Sequence, residues 1–495
     1  MYLRNIQVLV SKSFLKNSLI YTLAGMLPMA SALILLPLYI HNLSTAAYGA
    51  LAVYMVFTLL VQIVVTFSFD TSIYIHYHEL KDDKHKLKVF VSSAFIFMIL
   101  LSLATALILS ITGGLLFAVA FPNMNISFYP YGLASVGSGV FQALFRVHSS
   151  LLQSREKPET FLWSNIVSFS IVAIFIIIGF EMYPNSLAGP IFGRLLGSII
   201  PAAWALSRIF REFGVHWDFE WLKTSIGFNT YNFIYQLQQW VINQFDRVLM
   251  IFFITLSDVG VYDFALKCLI PVELLMNSLH SSFYPKVVSA VMAQTNKGST
   301  PGINRYYHGL IAVVMLLVCG SVLVLPWAIE LFVKKADYHE AVRYIPYLGI
   351  MYLFRSARLF FTVPYGILKY TKPLPVIYLI VSLLKITIML VLVGIMNIYG
   401  VILASAISAI VELLLVRFNL QNVFEFQFNV FKIIVIPAIL LTLIVILEPT
   451  LGLLYPDVAH LLYMLSCVGL LWWAYKDEIA LINPFNSKEA KTGNS

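Results

Sequence analysis

Three cations interrupt stretches that are otherwise almost wholly apolar. Arg355 and Arg358 fall in one such run and Lys385 midway along the next. Charge at membrane depth is costly and usually either pairs or lines a pathway. Residues three apart share one helix face, so the two arginines and the lysine reach similar depth from consecutive runs. Such a surface suits an anionic head group such as a pyrophosphate, which a guanidinium grips with two parallel hydrogen bonds. The other reading is a buried ion-pair cluster completed by Glu412 in the following run. Both stay open at this level.

Five further places carry charge. Asp263 and Lys267 are four apart, the spacing of an ion pair within one helix, and Glu273 lies deeper beyond Pro271. A proline inside a span frees a carbonyl and marks a hinge or a cavity. Asp70 has no cation one turn to either side, and a buried carboxylate without a partner can exchange protons; it is a candidate for ion coupling, with Asp263 and Glu412. Arg194, beside Pro190 and Gly193, suits a cavity lining or an interface anchor. Asp246 and Arg247 close an apolar run, where a gate or interface role is open to them and Arg247 is expected to snorkel. Arg146 and His148 are read as snorkelling too.

Neutral polar chemistry concentrates at Tyr231, Tyr235, Gln236, Gln238 and Gln239. Tyrosine and glutamine suit sugar hydroxyls, and they equally suit hydrogen bonds between helices. The glycines of Gly132–Gly139 read as close helix packing, and Trp472 and Trp473 as interfacial anchors. Asn125-Ile126-Ser127 matches a glycosylation sequon, a short motif that arises freely by chance. No Walker loop, dinucleotide fingerprint or His-Glu-x-x-His occurs, so no cofactor, metal or catalytic residue is expected.

The elements that hold these residues follow from composition. Of 495 residues, 60% are apolar and 11% charged, against about 25% charged in soluble domains. That leaves too little polar surface for a soluble enzyme and excludes a nucleic-acid-binding module, despite the net charge of +8. With about 20 apolar residues per span, the chain supplies about 14 spans, which must be helices because hydrocarbon leaves no open backbone group satisfied. They are expected at Ser18–Ile40, Tyr48–Ile75, Val89–Ile111, Phe128–His148, Phe161–Phe180, Leu187–Ile209 and Ser225–Phe245. The second set is Val259–Phe283, His308–Leu331, Tyr344–Leu368, Leu374–Met396, Gly400–Val416, Val430–Leu447 and Val458–Tyr475.

Orientation follows from the 32 Lys and Arg residues. With the N-terminus inside, 23 of them lie on the cytoplasmic side, from Arg4 through Lys297 and Lys369 to Lys488 and Lys491, and 4 on the other. That imbalance predicts cytoplasmic termini in a multi-pass plasma-membrane protein. Cys268, Cys319 and Cys467 lie in apolar runs, so no disulfide framework is expected.

A faint internal repeat relates Leu43–Gly49 to Leu256–Tyr262 at an offset of 213 residues. Each segment precedes a long span and a basic loop. Six spans separate them, so the halves share orientation, an arrangement that transporters use with substrate held between halves. The expected domains are a six-span lobe over 1–215, a second over 216–425, and an extra pair with a tail over 426–495.

Four stretches carry a resemblance: NSLIYTLAGMLPMASALILLPLYIHNLSTAAYG from Asn17 to Gly49, SFDTSIYIHYHE from Ser68 to Glu79, DRVLMIFFITLSDVGVYDFALK from Asp246 to Lys267, and ILKYTKP from Ile367 to Pro373. In this order the chain resembles the Wzx-type oligosaccharide-lipid flippases, the polysaccharide-transport branch of the multidrug/oligosaccharidyl-lipid/polysaccharide exporter superfamily. The likeness covers nearly the whole chain. It departs where many relatives place an arginine shortly after the aspartate of the second span, since Ile75-His76 stands here, and no proline marks the seventh span around Tyr235.

The resemblance implies an all-α transporter that moves an isoprenoid-diphosphate-linked oligosaccharide to the periplasmic leaflet by ion-coupled alternating access. The cargo would be a surface-polysaccharide repeat unit, as in O-antigen and lipopolysaccharide assembly at the inner membrane. Partners would be that lipid-linked oligosaccharide, membrane lipids and the polysaccharide polymerase machinery, and a monomer already holds a complete cavity. Arg355, Arg358, Lys385, Lys267 and Arg194 are the candidate substrate contacts. A multidrug exporter is the first alternative, disfavoured by a midplane with more cation than acid. A membrane glycosyltransferase or polymerase is the second, disfavoured because the longest outer break, with Asp337 and Glu340, has only about a dozen residues given boundary error. Lipid II-type and teichoic-acid cargoes remain open.

Overall fold

The computed structural model describes residues 12–122, 126–292, 301–368, 370–421, 429, 431–447 and 456–482. Asn125 of the sequon, Lys369, and the basic residues Arg4, Lys297, Lys488 and Lys491 lie outside the described residues. Among the described residues every regular element is a helix. Each expected span falls on helix there, and eight of the described helices are long and apolar enough to cross a bilayer on their own composition. The protein is an all-α, multi-pass membrane protein.

Its contacts gather into two units, Met1–Asp263 and Phe264–Ser495. The first begins with α1 (Lys12–Asn42) and α2 (Thr45–Thr66). Ser44 caps α2 by accepting a hydrogen bond from the Ala47 amide at 3.3 Å, satisfying an orphan donor of the first turn. The expected second span then breaks. Phe67 (φ 41°) and Ser68 (φ 57°) both adopt the left-handed region, and α3 (Phe69–Leu80) starts afresh with Asp70 in its first turn. Two consecutive non-glycine residues in that region carry no sequence signal, since the position favours glycine.

Asp83 caps α4 (Lys84–Ala120), accepting from the Lys86 amide at 3.1 Å. That bond holds the exposed Asp83 carboxyl below its ordinary pKa. A π-turn at Phe128–Gly132 leads into α5 (Leu133–Ser154), followed by α6 (Pro158–Met182) and α7 (Ala188–Phe213). A Cβ on Gly193 would come within 2.5 Å of the Phe175 carbonyl oxygen, and one on Gly197 within 2.7 Å of the Val172 Cα. Glycines one turn apart thus let α7 lie directly against α6, as helices do where lipid supplies no hydrophobic drive between them. The Gly132–Gly139 stretch behaves likewise: a Cβ on Gly139 would meet the Thr58 carbonyl of α2 at 2.7 Å.

The turn after α7 is strapped down. Ser92 Oγ donates to the Gly214 carbonyl at 2.9 Å and accepts from the His216 amide at 2.8 Å. Ser93 Oγ accepts from the Asp218 amide at 2.9 Å. Two neighbouring serines of α4 therefore hold the segment that launches α8 (Phe219–Met250). The core beneath is built from Phe69 and Ile73 of α3, Phe90, Phe95 and Met98 of α4, and Leu144 and Val147 of α5.

The expected eighth span is two helices, α9 (Leu256–Cys268) and α10 (Ile270–Met292), parted at Leu269. Pro271 stands at the start of the second, where the missing amide hydrogen costs nothing. The second unit continues with α11 (Pro301–Phe332), a 3-10 turn at Ala336–Arg343, and α12 (Ile345–Ile367). Next, α13 runs over Leu374–Leu420, 47 residues. A straight helix of that length would reach about 70 Å, more than twice the hydrocarbon thickness. It folds back at Asn397 (φ 50°, ψ −130°), and a Cβ on Gly400 would fall 2.6 Å from the Leu392 carbonyl carbon. The two expected spans are the arms of this hairpin. A π-turn at Phe431–Val435, α14 (Ile436–Leu447) and α15 (Pro456–Ile482) complete the unit. The three cysteines are buried thiols.

Candidate functional site

A buried polar network of the first unit joins α2, α8 and α9. Arg247 Nη1 lies 2.7 Å from Asp246 Oδ1, and Arg247 Nε lies 3.2 Å from Asp263 Oδ1. Each carboxylate also accepts from a tyrosine: Tyr262 OH to Asp246 Oδ2 at 2.8 Å, and Tyr48 OH to Asp263 Oδ2 at 3.0 Å. Arg247 also donates to the Asn243 carbonyl at 2.7 Å. All three ionic groups are buried. This corrects the expectation that Arg247 snorkels. The guanidinium is drawn inward because two carboxylates and a carbonyl offer it acceptors there, and pairing is the condition under which a buried charge holds. Asp263 is engaged by residues 16 and 215 positions away, beyond the reach of one-turn spacing. Lys267 stands half-buried one turn further along α9.

Beside it on the same contact, Thr45 and Ser257 hydroxyls lie 2.7 Å apart. The repeat noticed in the sequence thus brings its own two copies together, helix start against helix start.

Asp70 is not the unpartnered carboxylate that the sequence suggested. Arg146 Nη2 approaches Asp70 Oδ2 at 2.8 Å and Arg146 Nε at 3.0 Å, so two donors of one guanidinium converge on one carboxylate oxygen. Gln236 of α8 adds Nε2 contacts to Asp70 Oδ1 at 3.4 Å and to Ser68 Oγ at 3.2 Å. The expectation failed because the cation comes from α5, 76 residues on, not from a neighbouring turn. Arg146 accordingly does not simply snorkel, although it stays half-exposed, and His148 is buried edge-on against Trp204 with ring centres 4.9 Å apart. Arg194 donates from Nη2 to Tyr39 OH at 3.3 Å, while its buried Nε has no partner among the described residues.

In the second unit the two arginines of α12 divide between two acids. Arg358 Nη1 lies 2.9 Å from Glu412 Oε1, with the acid buried on the far arm of the α13 hairpin. Arg355 Nη1 stands 3.9 Å from Glu273 Oε1 of α10, a loose contact between two groups each about a quarter exposed. Tyr352 OH donates to the same glutamate at 3.3 Å, and the Arg355 guanidinium lies 5.6 Å from the Tyr352 ring centre. Lys385 is buried on the near arm of the hairpin. The pairing alternative therefore describes Arg358 well, whereas the contact of Arg355 with its acid is the longer of the two. Sequence reasoning passed over Glu273 as a partner for Arg355, because they are 82 positions apart and no local spacing links them.

The fold has known counterparts. The structure superposes on a lipid II flippase, MurJ, in an inward closed conformation, with a TM-score of 0.69 and 17% identity over 94% of this chain and 100% of that one. It also matches a multidrug resistance MATE family transporter of the MOP superfamily, inward-facing, with a TM-score of 0.63 and 11% identity over 81% and 95%. The MATE multidrug transporter DinF-BH matches with a TM-score of 0.55 and 14% identity over 84% and 97%. No curated protein sequence matches. At these identities the structural matches establish the transporter fold. The model of the family described as polysaccharide biosynthesis protein matches residues 14–291, more than half of the sequence, and the chain belongs to that family.

Proposed function

We propose that the protein is a flippase that carries an isoprenoid-diphosphate-linked oligosaccharide from the cytoplasmic to the periplasmic leaflet of the inner membrane. Family membership supports a role in polysaccharide assembly. The observation that carries the reading is the superposition over the whole of a protein named as a flippase of lipid II. Arg355, Arg358, Lys385 and Lys267 of α9, α12 and α13 are the cations from which a diphosphate contact is drawn, with Arg194 in the first unit. Arg355 is the foremost, because it is about a quarter exposed and a guanidinium takes a phosphate as a bidentate partner. Asp70, Asp263 and Glu412 are the candidates for coupling to an ion gradient. Asp246 and Arg247 belong to a gate. Both termini are cytoplasmic on the positive-inside count. The protein works as a monomer beside the polymerase machinery, and its role is transport with no bond made or broken.

The MATE matches favour a second reading, export of cationic drugs. The charges argue against it. Arg355 pairs with Glu273 and Arg358 with Glu412, and the buried Lys385 adds a third cation to α12 and α13, a composition that suits an anion.

The test is deletion of the gene in its host, followed by extraction of diphosphate-linked glycans and assay of their sidedness. Complete repeat units confined to the cytoplasmic leaflet, with surface polysaccharide lost, is the expected result. Units that reach the periplasmic face and stay unpolymerised would overturn the reading and point to a polymerase.

A further inference from the structure

Helix α8 is long but only weakly apolar. It has 32 residues, yet it is absent from the eight helices apolar enough to cross a bilayer among the described residues. Between Ser225 and Phe245 it carries no formal charge but seven amide side chains, at Asn229, Asn232, Gln236, Gln238, Gln239, Asn243 and Gln244. Polar residues at membrane depth face a protein interior or a wet cavity.

The helix has two faces. The back is fastened: Gln236 reaches Asp70 and Ser68, Trp240 Nε1 donates to the Val56 carbonyl at 3.1 Å, and Phe233 packs on Phe67 with ring centres 5.2 Å apart. The front, at 3.6-residue spacing, holds Gly227, Phe228, Tyr231, Ile234 and Tyr235. Tyr231 is 75% exposed, Phe228 39% and Tyr235 37%. Among the described residues nothing lies within 4 Å of a Cβ built on Gly227. The same face then closes, with Gln238 8% and Ile242 9% exposed. At its flank the buried Gln239 Nε2 finds no hydrogen-bond acceptor among the described residues.

An open aromatic face flanked by neutral amides, and ending in a closed shelf, does not suit a phosphate, which calls for cationic or backbone donors. It suits a neutral polyhydroxylated ligand. The C–H faces of pyranose rings stack on tyrosines, which offer flat contact area and a hydroxyl at the rim. Amides supply both donors and acceptors for sugar hydroxyls. We infer that the front of α8, centred on Tyr231 and Tyr235 with Gln239 at its flank, is the subsite for the glycan of the cargo. This rests on the flippase reading above and adds to it which residues take the sugar: the neutral aromatic face of α8, and not the cations assigned to the diphosphate.

The test uses the full-length protein in lipid nanodiscs with two probes, undecaprenyl diphosphate and the same lipid bearing the host's oligosaccharide, extracted from the deletion strain. Affinities are read by native mass spectrometry for wild type, Tyr231→Ala, Tyr235→Ala and the Phe variants. Removing a stacking ring from such a surface predicts a roughly tenfold weaker affinity for the glycan-bearing lipid in the Ala variants. Bare-lipid binding should change by less than about twofold, and the Phe variants, which keep the ring, should recover most of the affinity. Melting curves report whether each variant is folded, and an exposed ring such as Tyr231 is removable without unfolding. Ala variants that bind the glycan-bearing lipid as wild type does, or that weaken on both lipids equally, would overturn the subsite alone. A wild-type protein that binds neither lipid would overturn the flippase reading with it.

Discussion

Gly49 and Gly260 are each other's clearance. A Cβ on Gly49 would overlap the Leu256 carbonyl oxygen and stand 2.9 Å from the Gly260 nitrogen. One on Gly260 would overlap the Thr45 carbonyl oxygen and stand 3.0 Å from the Gly49 nitrogen. Two helix starts therefore meet backbone to backbone, and only glycine fits either position. Gly49→Val and Gly260→Val should each force the starts of α2 and α9 apart, lowering surface polysaccharide in a complementation assay by at least about tenfold while membrane levels persist. Alanine at either position should be intermediate. Wild-type activity in both valine variants would show that the contact is dispensable.

The hydroxyls beside those glycines offer a direct probe. With Thr45 Oγ1 and Ser257 Oγ 2.7 Å apart, the pair Thr45→Cys/Ser257→Cys is positioned to form a disulfide. Oxidation should cross-link most of the population, detected by a gel shift after cleavage between the two positions, and should arrest transport until reductant is added. Transport that continues with the disulfide formed would mean that this contact never opens during the cycle.

Arg247 sits between two buried carboxylates, so its removal leaves uncompensated charge. Arg247→Gln should destabilise the protein by about 3–5 kcal/mol, read as a fall in melting temperature in detergent. Combining it with Asp263→Asn should return part of that stability, since one stranded charge is removed with the cation. An additive double variant would mean the two groups do not interact.

The Asp70–Arg146 pair is half-exposed on its cationic side, and its coupling is correspondingly modest, about 1 kcal/mol. A double-mutant cycle with Asp70→Asn and Arg146→Gln should return a value of that order. Transport should suffer more than stability if Asp70 handles the coupling ion. Asp70→Asn with undiminished transport and an unchanged ion dependence would remove it from that role.

Arg355 and Arg358 should separate in the same way. Arg358→Gln strands the buried Glu412 and should cost about 3 kcal/mol or more in stability. Arg355 is about a quarter exposed and stands 3.9 Å from Glu273, so Arg355→Gln should cost less stability than Arg358→Gln while cutting export of the lipid-linked glycan. A variant of Arg355 that transports normally would shift the diphosphate contact to Lys385 or Lys267.

How much of this could be read from residues alone depends on range. Helices were legible because hydrocarbon permits little else, and the α13 turn at Asn397 was legible as a dip in hydropathy between two runs. The break at Phe67-Ser68 was not, because neither residue advertises a left-handed conformation. Charged positions were legible as exceptions in apolar text, whereas their partners were not. Tyr48 with Asp263, Arg146 with Asp70 and Glu273 with Arg355 meet across 215, 76 and 82 positions, and only the tertiary fold selects among such distant possibilities.

The interruption at Phe67-Ser68 has a mechanical meaning. Each left-handed residue stores about 1–3 kcal/mol of backbone strain, so the segment is a loaded joint and not a slack one. The length of helix beyond it, α3, starts as a separate rod, with the Asp70 carboxylate in its first turn and Arg146 and Gln236 holding that point from two other helices. A change of charge at Asp70 therefore acts at the joint itself, about three turns from the far end of α3 at Leu80.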